Sequence, residues 1–369
     1  MFQIKSKARD YCNFFFSILS KSGQRLNNKI INLNNGVRMN YHYHKKVFAV
    51  IILLLSFTYP EETFQFKGFI QNWFSYNNQG SGFNVRRVML KSYGKINPKV
   101  SWYAQYGWNQ QKPALMDAAI KYSPDKLLNT KIGRFSVPGS RFGTLAPSSK
   151  LTFIERPMSV KKWNSFNGYT SFRSVGVQIG GEFTNFSYKT MISNNQADNL
   201  YNPRITNNTY SENEDMRFIG RIEYGWRNIK LGTFFSSPIN KDPFEQSYGA
   251  DLVFDKKPIK FRGGYIHGYR DHENSQMTYS GLISELSYTI KSIQPAFRYD
   301  LYDPSHEMNE NIEVDIYHNF TLGINYYPDK NIKIQANYLV RKEKMVDPIN
   351  RDDFDNNLFY INLQYKFGK

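Results

Sequence analysis

Arg87, Lys91 and Lys95 fall four residues apart in a stretch that alternates polar and apolar side chains, and Arg217 and Arg221 repeat the spacing. In an extended chain, residues separated by an even number share one face. At roughly 3.3 Å per residue, each step of four covers about 13 Å. Bases set along a line can receive an anion and pass it on without a deep trap, as a conducting wall must. The polar parity of every alternating segment collects fifteen bases: Lys67, Arg87, Lys91, Lys95, Lys121, Arg134, Lys189, Arg217, Arg221, Lys230, Lys260, Arg262, Arg298, Lys333 and Lys366. The acids of that parity are five: Asp117, Glu223, Asp251, Glu285 and Asp300. Some pairing is expected, Arg221 with Glu223 for example, but five acids cannot neutralise fifteen bases. A confined passage lined by one sign concentrates the opposite ion. Arg87, Lys91, Lys95, Arg134, Arg217, Arg221, Lys260, Arg262 and Arg298 are therefore the expected anion contacts, with no cofactor and no metal.

A second set lies in the longest connection, 138–171, which holds Arg141, Lys150, Glu155, Arg156, Lys161 and Lys162. Such a length exceeds a simple surface turn. Its patch Leu151-Thr152-Phe153-Ile154 needs burial. Folded inside a barrel, the segment would narrow the passage and bring Arg141, Lys150, Arg156, Lys161 and Lys162 to the constriction. The alternative is a surface loop that covers a neighbouring subunit.

Other chemistry finds little support. His267, His272, His306 and His318 fall near expected strand ends with no metal-ligand spacing, and read as solvated rim residues. Asp347, Asp352, Asp353 and Asp355 could hold calcium weakly, but lack the EF-hand order. No nucleophile elbow, P-loop or dinucleotide motif occurs. The single cysteine, Cys12, excludes a disulfide scaffold and a cysteine-rich zinc module.

The elements that must position the bases are strands. Alternation runs through sixteen segments: 64–76, 82–96, 100–110, 114–123, 129–137, 172–180, 184–194, 214–225, 228–236, 246–255, 258–269, 277–289, 291–302, 313–327, 330–342 and 355–368. No stretch of helical period is evident beyond residue 61. Tight turns at Asn97-Pro98-Lys99, Gly180-Gly181, Trp226-Arg227-Asn228, Lys256-Lys257 and Pro328-Asp329 alternate with long connections. Short turns at one rim and long loops at the other predict an all-β, membrane-spanning antiparallel barrel, in contact with outer-membrane lipid. The aromatics at strand ends, among them Trp102, Tyr106, Trp108, Tyr122, Tyr224 and Tyr365, then read as girdles at the membrane interfaces.

The first sixty residues read differently. An eleven-residue apolar run, 47–57, follows Lys45 and Lys46. It is short for a bilayer-spanning helix, which needs about 20 residues, and suits a secretory signal. Met39 is a candidate start, which divides the chain into an upstream extension (1–38), a signal peptide (39–61) and a barrel domain (62–369). A cytoplasmic anchor with a basic tail is the alternative. Without residues 1–61 the formal charge of +17 falls to +10, spread through alternating strands, so nucleic acid is not the expected partner.

Phe83-Asn84-Val85-Arg86-Arg87-Val88-Met89-Leu90, Ile132-Gly133-Arg134-Phe135-Ser136-Val137-Pro138, Phe153-Ile154-Glu155-Arg156 and Arg173-Ser174-Val175-Gly176-Val177-Gln178 resemble segments of the phosphate-selective porin O and P family. Pro295-Ala296-Phe297-Arg298-Tyr299-Asp300 resembles a later strand of it. The resemblance implies a sixteen-stranded homotrimeric barrel with an arginine ladder and a lysine-bearing constriction. It also implies passive uptake of phosphate or polyphosphate across a bacterial outer membrane. Ser136 and Ser174 depart from the family's charged residues. A plugged barrel serving as adhesin or anchor, and an outer-membrane enzyme, are the competing functions.

Overall fold

A chain whose alternate residues prefer opposite solvents has one closed solution in a membrane, because an open sheet would leave unpaired backbone groups in hydrocarbon. The computed structural model describes residues 64–109, 112–167, 169, 171–194, 216–239, 245–272, 275–304, 316–344 and 357–368. The expected signal segment, the stretch before it, His306 and the acidic run 347–355 lie outside the described residues.

Sixteen strands form one closed barrel in chain order. They are β1 (Gln65–Asn77), β2 (Gly80–Asn97), β3 (Val100–Asn109), β4 (Lys112–Tyr122), β5 (Asn129–Ser136), β6 (Arg173–Phe183), β7 (Phe186–Asn194) and β8 (Met216–Trp226). The ring continues with β9 (Ile229–Ile239), β10 (Glu245–Lys256), β11 (Ile259–His272), β12 (Ser275–Tyr288), β13 (Ile293–Asp303), β14 (Ile316–Asp329), β15 (Ile332–Lys344) and β16 (Leu358–Gly368). Each pairs antiparallel with its neighbours, and β16 closes on β1 from Lys67 opposite Gly368 to Tyr76 opposite Phe359. Every expected strand is present.

The two faces follow the parity. Ile120, Ile132, Val177 and Ile192 stand opposite one another across β4 to β7, all exposed on the outside. Leu322 is 59% exposed on this outer face, whereas Gln364 on the inner face is 0% exposed. The polar side is thus the packed one, the reverse of a soluble protein. Aromatic contacts band the outer face: Phe186 and Tyr224 lie 4.8 Å apart near the short-turn rim, and Tyr299 and Phe320 lie 5.1 Å apart nearer the other. His318 joins the second band through a 2.9 Å hydrogen bond with the Tyr299 hydroxyl, and His267 stacks on Tyr265 and meets Tyr248 at a tilt.

Three local features differ from the sequence expectation. The β6–β7 turn is Thr184-Asn185, not Gly180-Gly181, and the β14–β15 turn is Lys330-Asn331, not Pro328-Asp329. The two glycines continue β6, where a side chain on Gly181 would collide with the Leu127 carbonyl. β-Bulges at Arg86 in β2 and Met116 in β4 break the alternation. A bulge sets two residues of one strand against one of its partner, so the adjacent Arg86 and Arg87 both turn inward. Finally, a helix is present: α1 (Met158–Phe166), inside the long β5–β6 connection. Its nine residues are too few for a helical period to stand out. Pro157 precedes it, and Asn167 ends it by donating its backbone N–H and its Nδ2 to the Trp163 carbonyl. Val160 and Trp163 are fully buried, and Lys161 and Lys162 are exposed.

Candidate passage through the barrel

The connection 137–172 meets inner-wall side chains along its length. Arg298 donates to the Glu155 carbonyl (2.8 Å), Lys333 to that of Leu151 (2.8 Å), Gln335 to that of Thr152 (3.0 Å) and Gln364 to that of Ser149 (3.2 Å). Asn337 accepts from the Ile154 N–H (2.7 Å), and Ser247 accepts from the Trp163 indole (3.1 Å). The patch Leu151 to Ile154 is buried, and the guanidinium of Arg298 stands 4.8 Å over the Phe153 ring.

This packing sorts the bases into two groups. On the β8–β13 side they are consumed by acids. Arg217 is 1% exposed, paired with Glu245 at 2.7 Å and bonded to Asn167. Arg221 holds Asp251 through two bonds of 2.7 and 2.8 Å, Glu223 at 3.1 Å and the Gly139 carbonyl at 3.2 Å. Arg141 grips the same Asp251 (3.1 Å) and Glu223. Arg262 pairs with Glu285, which Arg298 approaches to 3.8 Å. Sequence reasoning set these bases on an open lining. The structure places them in a buried network, because Glu245 and the backbone carbonyls of the long connection are also acceptors, and a parity count of strand acids omits both.

Arg134 is corrected differently. The register sets it opposite Ala118 and Val175, on the side of the exposed Ile120, Ile132 and Val177. Its Nε donates to the Leu115 carbonyl at 3.1 Å. Lys131, three residues earlier, takes the inner parity instead. Lys260 pairs with the exposed Asp255 beside a short turn (2.5 Å), and Lys162 sits 5.8 Å over the Tyr302 ring.

On the β1–β7 side the bases face open space. A cavity of about 700 Å³ is lined by Lys67, Lys91, Lys131, Lys150, Arg156, Arg173, Lys189 and Lys366, with Asp117 as the only lining acid among the described residues. Asp117 is committed to Arg173 at 2.9 Å. A smaller cavity of about 140 Å³ is lined by Arg86, Arg87, Arg156, Lys161 and Arg173 with Glu155. The two share Met89, Ser148, Arg156, Phe172 and Arg173, which lie between them. Lys95 lines a third pocket, of about 370 Å³, with Lys67 and Lys91. Of the expected contacts, Arg87, Lys91, Lys95, Lys150, Arg156 and Lys161 thus line open space. Arg86, Lys131 and Arg173 were missed. The Arg86-Arg87 pair inside a strand was the one available signal for a bulge.

Between the two cavities Arg156 is fixed by the carbonyls of Ala146 (2.7 Å) and Gly143 (3.2 Å) and by the Ser148 hydroxyl (3.3 Å), with its guanidinium 4.9 Å over Phe172. Burial, then the neighbouring Arg87 and Arg173, lower its pKa to about 9, so it stays cationic at neutral pH. Glu155 accepts two bonds from Arg86 (2.7 and 2.9 Å) and pairs with Lys161 at 2.7 Å. Burial alone would raise its pKa. Lys161, Arg86 and Arg87 outweigh that and hold it at about 2.

A carboxylate whose pKa is lowered on folding stabilises the folded arrangement above its unfolded pKa and loses that contribution as pH falls through the folded one. The Glu155 latch should therefore hold above the ordinary value of 4.5 and weaken from there towards about 2. Channel conductance is expected to stay level from pH 7 to about 5 and to become noisier below about 3. Glu155→Gln should show that noise already at neutral pH. Identical pH profiles for the variant and the parent would remove Glu155 from this role.

The chain matches the family described as phosphate-selective porin O and P over residues 64–224 and 242–367. No curated protein sequence matches it. Among solved structures, a loop L8 deletion mutant of OmpT, an outer membrane protein of Vibrio cholerae, superposes with a TM-score of 0.61 at 9% identity, covering 84% of this chain and 100% of that one. An anion-selective porin from Comamonas acidovorans gives 0.59 at 12% identity, covering 84% and 100%. Salmonella typhi OmpF gives 0.56 at 11% identity, covering 83% and 97%. The three likenesses establish the porin fold, and the family match accounts for most of the chain. The protein belongs to the phosphate-selective porin O and P family and is a porin of the bacterial outer membrane.

Proposed function

We propose that this porin is an anion-selective diffusion channel that accepts phosphate-class anions, and that the connection 137–172 folds into the lumen as its constriction. One observation carries the reading: eight bases and a single, already paired acid line the larger cavity. Such a chamber raises the local anion concentration and depletes cations. The contacts of the connection with inner-wall side chains support the constriction. The family description and the anion-selective title of the Comamonas porin support the choice of solute. The barrel and the family favour a channel over an enzyme. A homotrimer follows the precedent of OmpT, solved in a trimer form. The apolar run 47–57 would direct export as a signal peptide.

A plugged barrel would share the filled β8–β13 side. Two adjacent base-lined cavities that share Arg156 and Phe172 favour a passage instead. Single-channel recording in planar bilayers decides. Ion conductance with a zero-current potential of anion-selective sign is expected under a KCl gradient, as is block of the chloride current by added phosphate. Absence of conductance would remove the channel, and a potential of cation sign would remove the anion preference.

A further inference from the structure

The inner face of β2 reads Arg87, Met89, Lys91, Tyr93, Lys95. Bases alternate with non-charged rungs, each about 6.6 Å from the next at two residues per step. Neighbouring strands widen every rung. Phe69 stands opposite Met89, Lys67 opposite Lys91, and Tyr103 opposite Tyr93. The ammonium of Lys67 lies 4.4 Å over the Tyr93 ring and that of Lys91 lies 4.5 Å over the Tyr103 ring. The rings therefore hold the two ammonium groups in place, and Lys67 also donates to the Tyr93 hydroxyl at 3.4 Å.

Inorganic phosphate has no use for the intervening rungs. A row of bases alone would serve it, and Met89 and Phe69 offer it no hydrogen bond. A phosphate carrying an organic body uses both kinds of rung. Its phosphate sits on a lysine rung while a sugar or ring lies on the apolar rung next to it. The room is there: at about 700 Å³ the cavity falls in the ordinary range for small-molecule sites, and far exceeds what one phosphate ion fills. The half-buried Leu145 adds apolar surface to the same cavity.

We propose that the passage prefers organic phosphates, namely phosphomonoesters of sugar or nucleoside size, over inorganic phosphate. The inference rests on the anion-channel reading above and names the solute within it. The test is block of chloride current through the purified porin in planar bilayers, at fixed pH and ionic strength. The blockers are glucose 6-phosphate, adenosine 5′-monophosphate and inorganic phosphate, with glucose as the uncharged control. The two esters are expected to half-block at concentrations about fivefold below inorganic phosphate, in keeping with a modest apolar contact. Met89→Ser with Phe69→Ser should bring the esters level with inorganic phosphate and leave the block by inorganic phosphate unchanged. Phe69→Ser alone, on the adjacent strand, provides the same comparison should the double variant fail to fold. Equal block by all three phosphates in the parent protein would overturn the preference for esters, as would an ester preference that survives these substitutions. Block by none of them, with no anion-selective potential, would instead overturn the anion channel itself.

Discussion

Lys91→Glu combined with Lys131→Glu is expected to abolish most of the anion preference while the barrel still conducts. Both lysines line the larger cavity, where the substitutions turn eight bases and one acid into six bases and three acids. At a separation of about 5 Å in water a unit charge contributes on the order of 0.8 kcal/mol, and reversal counts twice. Each substitution should therefore lower the local anion excess by roughly tenfold. Lys91 and Lys131 make no ion pair among the described residues, so the change falls on the passage more than on the fold. The zero-current potential under a salt gradient measures it. A potential equal to that of the parent would mean that ions bypass this cavity.

Arg221→Met should do the opposite, weakening the fold and sparing selectivity. Arg221 is 3% exposed and holds Asp251, Glu223 and the Gly139 carbonyl at once. Removing one partner of such a buried pair leaves an uncompensated charge and costs about 3–5 kcal/mol. Arg141 would keep a hold on Asp251, which places the loss towards the lower end of that range. A lower thermal unfolding midpoint in detergent is expected, with little change in zero-current potential. A shifted potential at unchanged stability would put Arg221 in the conducting path after all.

The contrast between these two substitutions shows what the sequence can and cannot disclose. Strand alternation is written into every segment, because lipid on one side and polar packing on the other constrain each residue separately. All sixteen strands were legible for that reason. Pairing across the lumen is not a property of any one strand. The inward face of Lys91 follows from parity alone, and its place on the cavity was legible with it. The fate of Arg217 depended on Glu245, the first residue of β10, and on Asn167 in the long connection. The inner placement of Arg86 needed a bulge, and the outer parity of Arg134 needed the register with Ala118 and Val175. Both are set by how neighbouring strands align, which no local pattern encodes.

The two sides of the barrel also differ in which base they use. Arg141, Arg217, Arg221, Arg262 and Arg298 hold the buried network, whereas six of the eight bases on the larger cavity are lysines: Lys67, Lys91, Lys131, Lys150, Lys189 and Lys366. A guanidinium grips an oxyanion with a planar fork, whereas an ammonium is a compact, strongly hydrated point charge. Permanent attachments have thus been given to the clinging group and transient ones to the group that releases. A solute crossing the lysine side is exchanged between hydrated charges that are slow to surrender their water, so its dwell time at any one of them is brief. On the proposed channel reading, throughput depends on the choice of ammonium over guanidinium as well as on the number of charges.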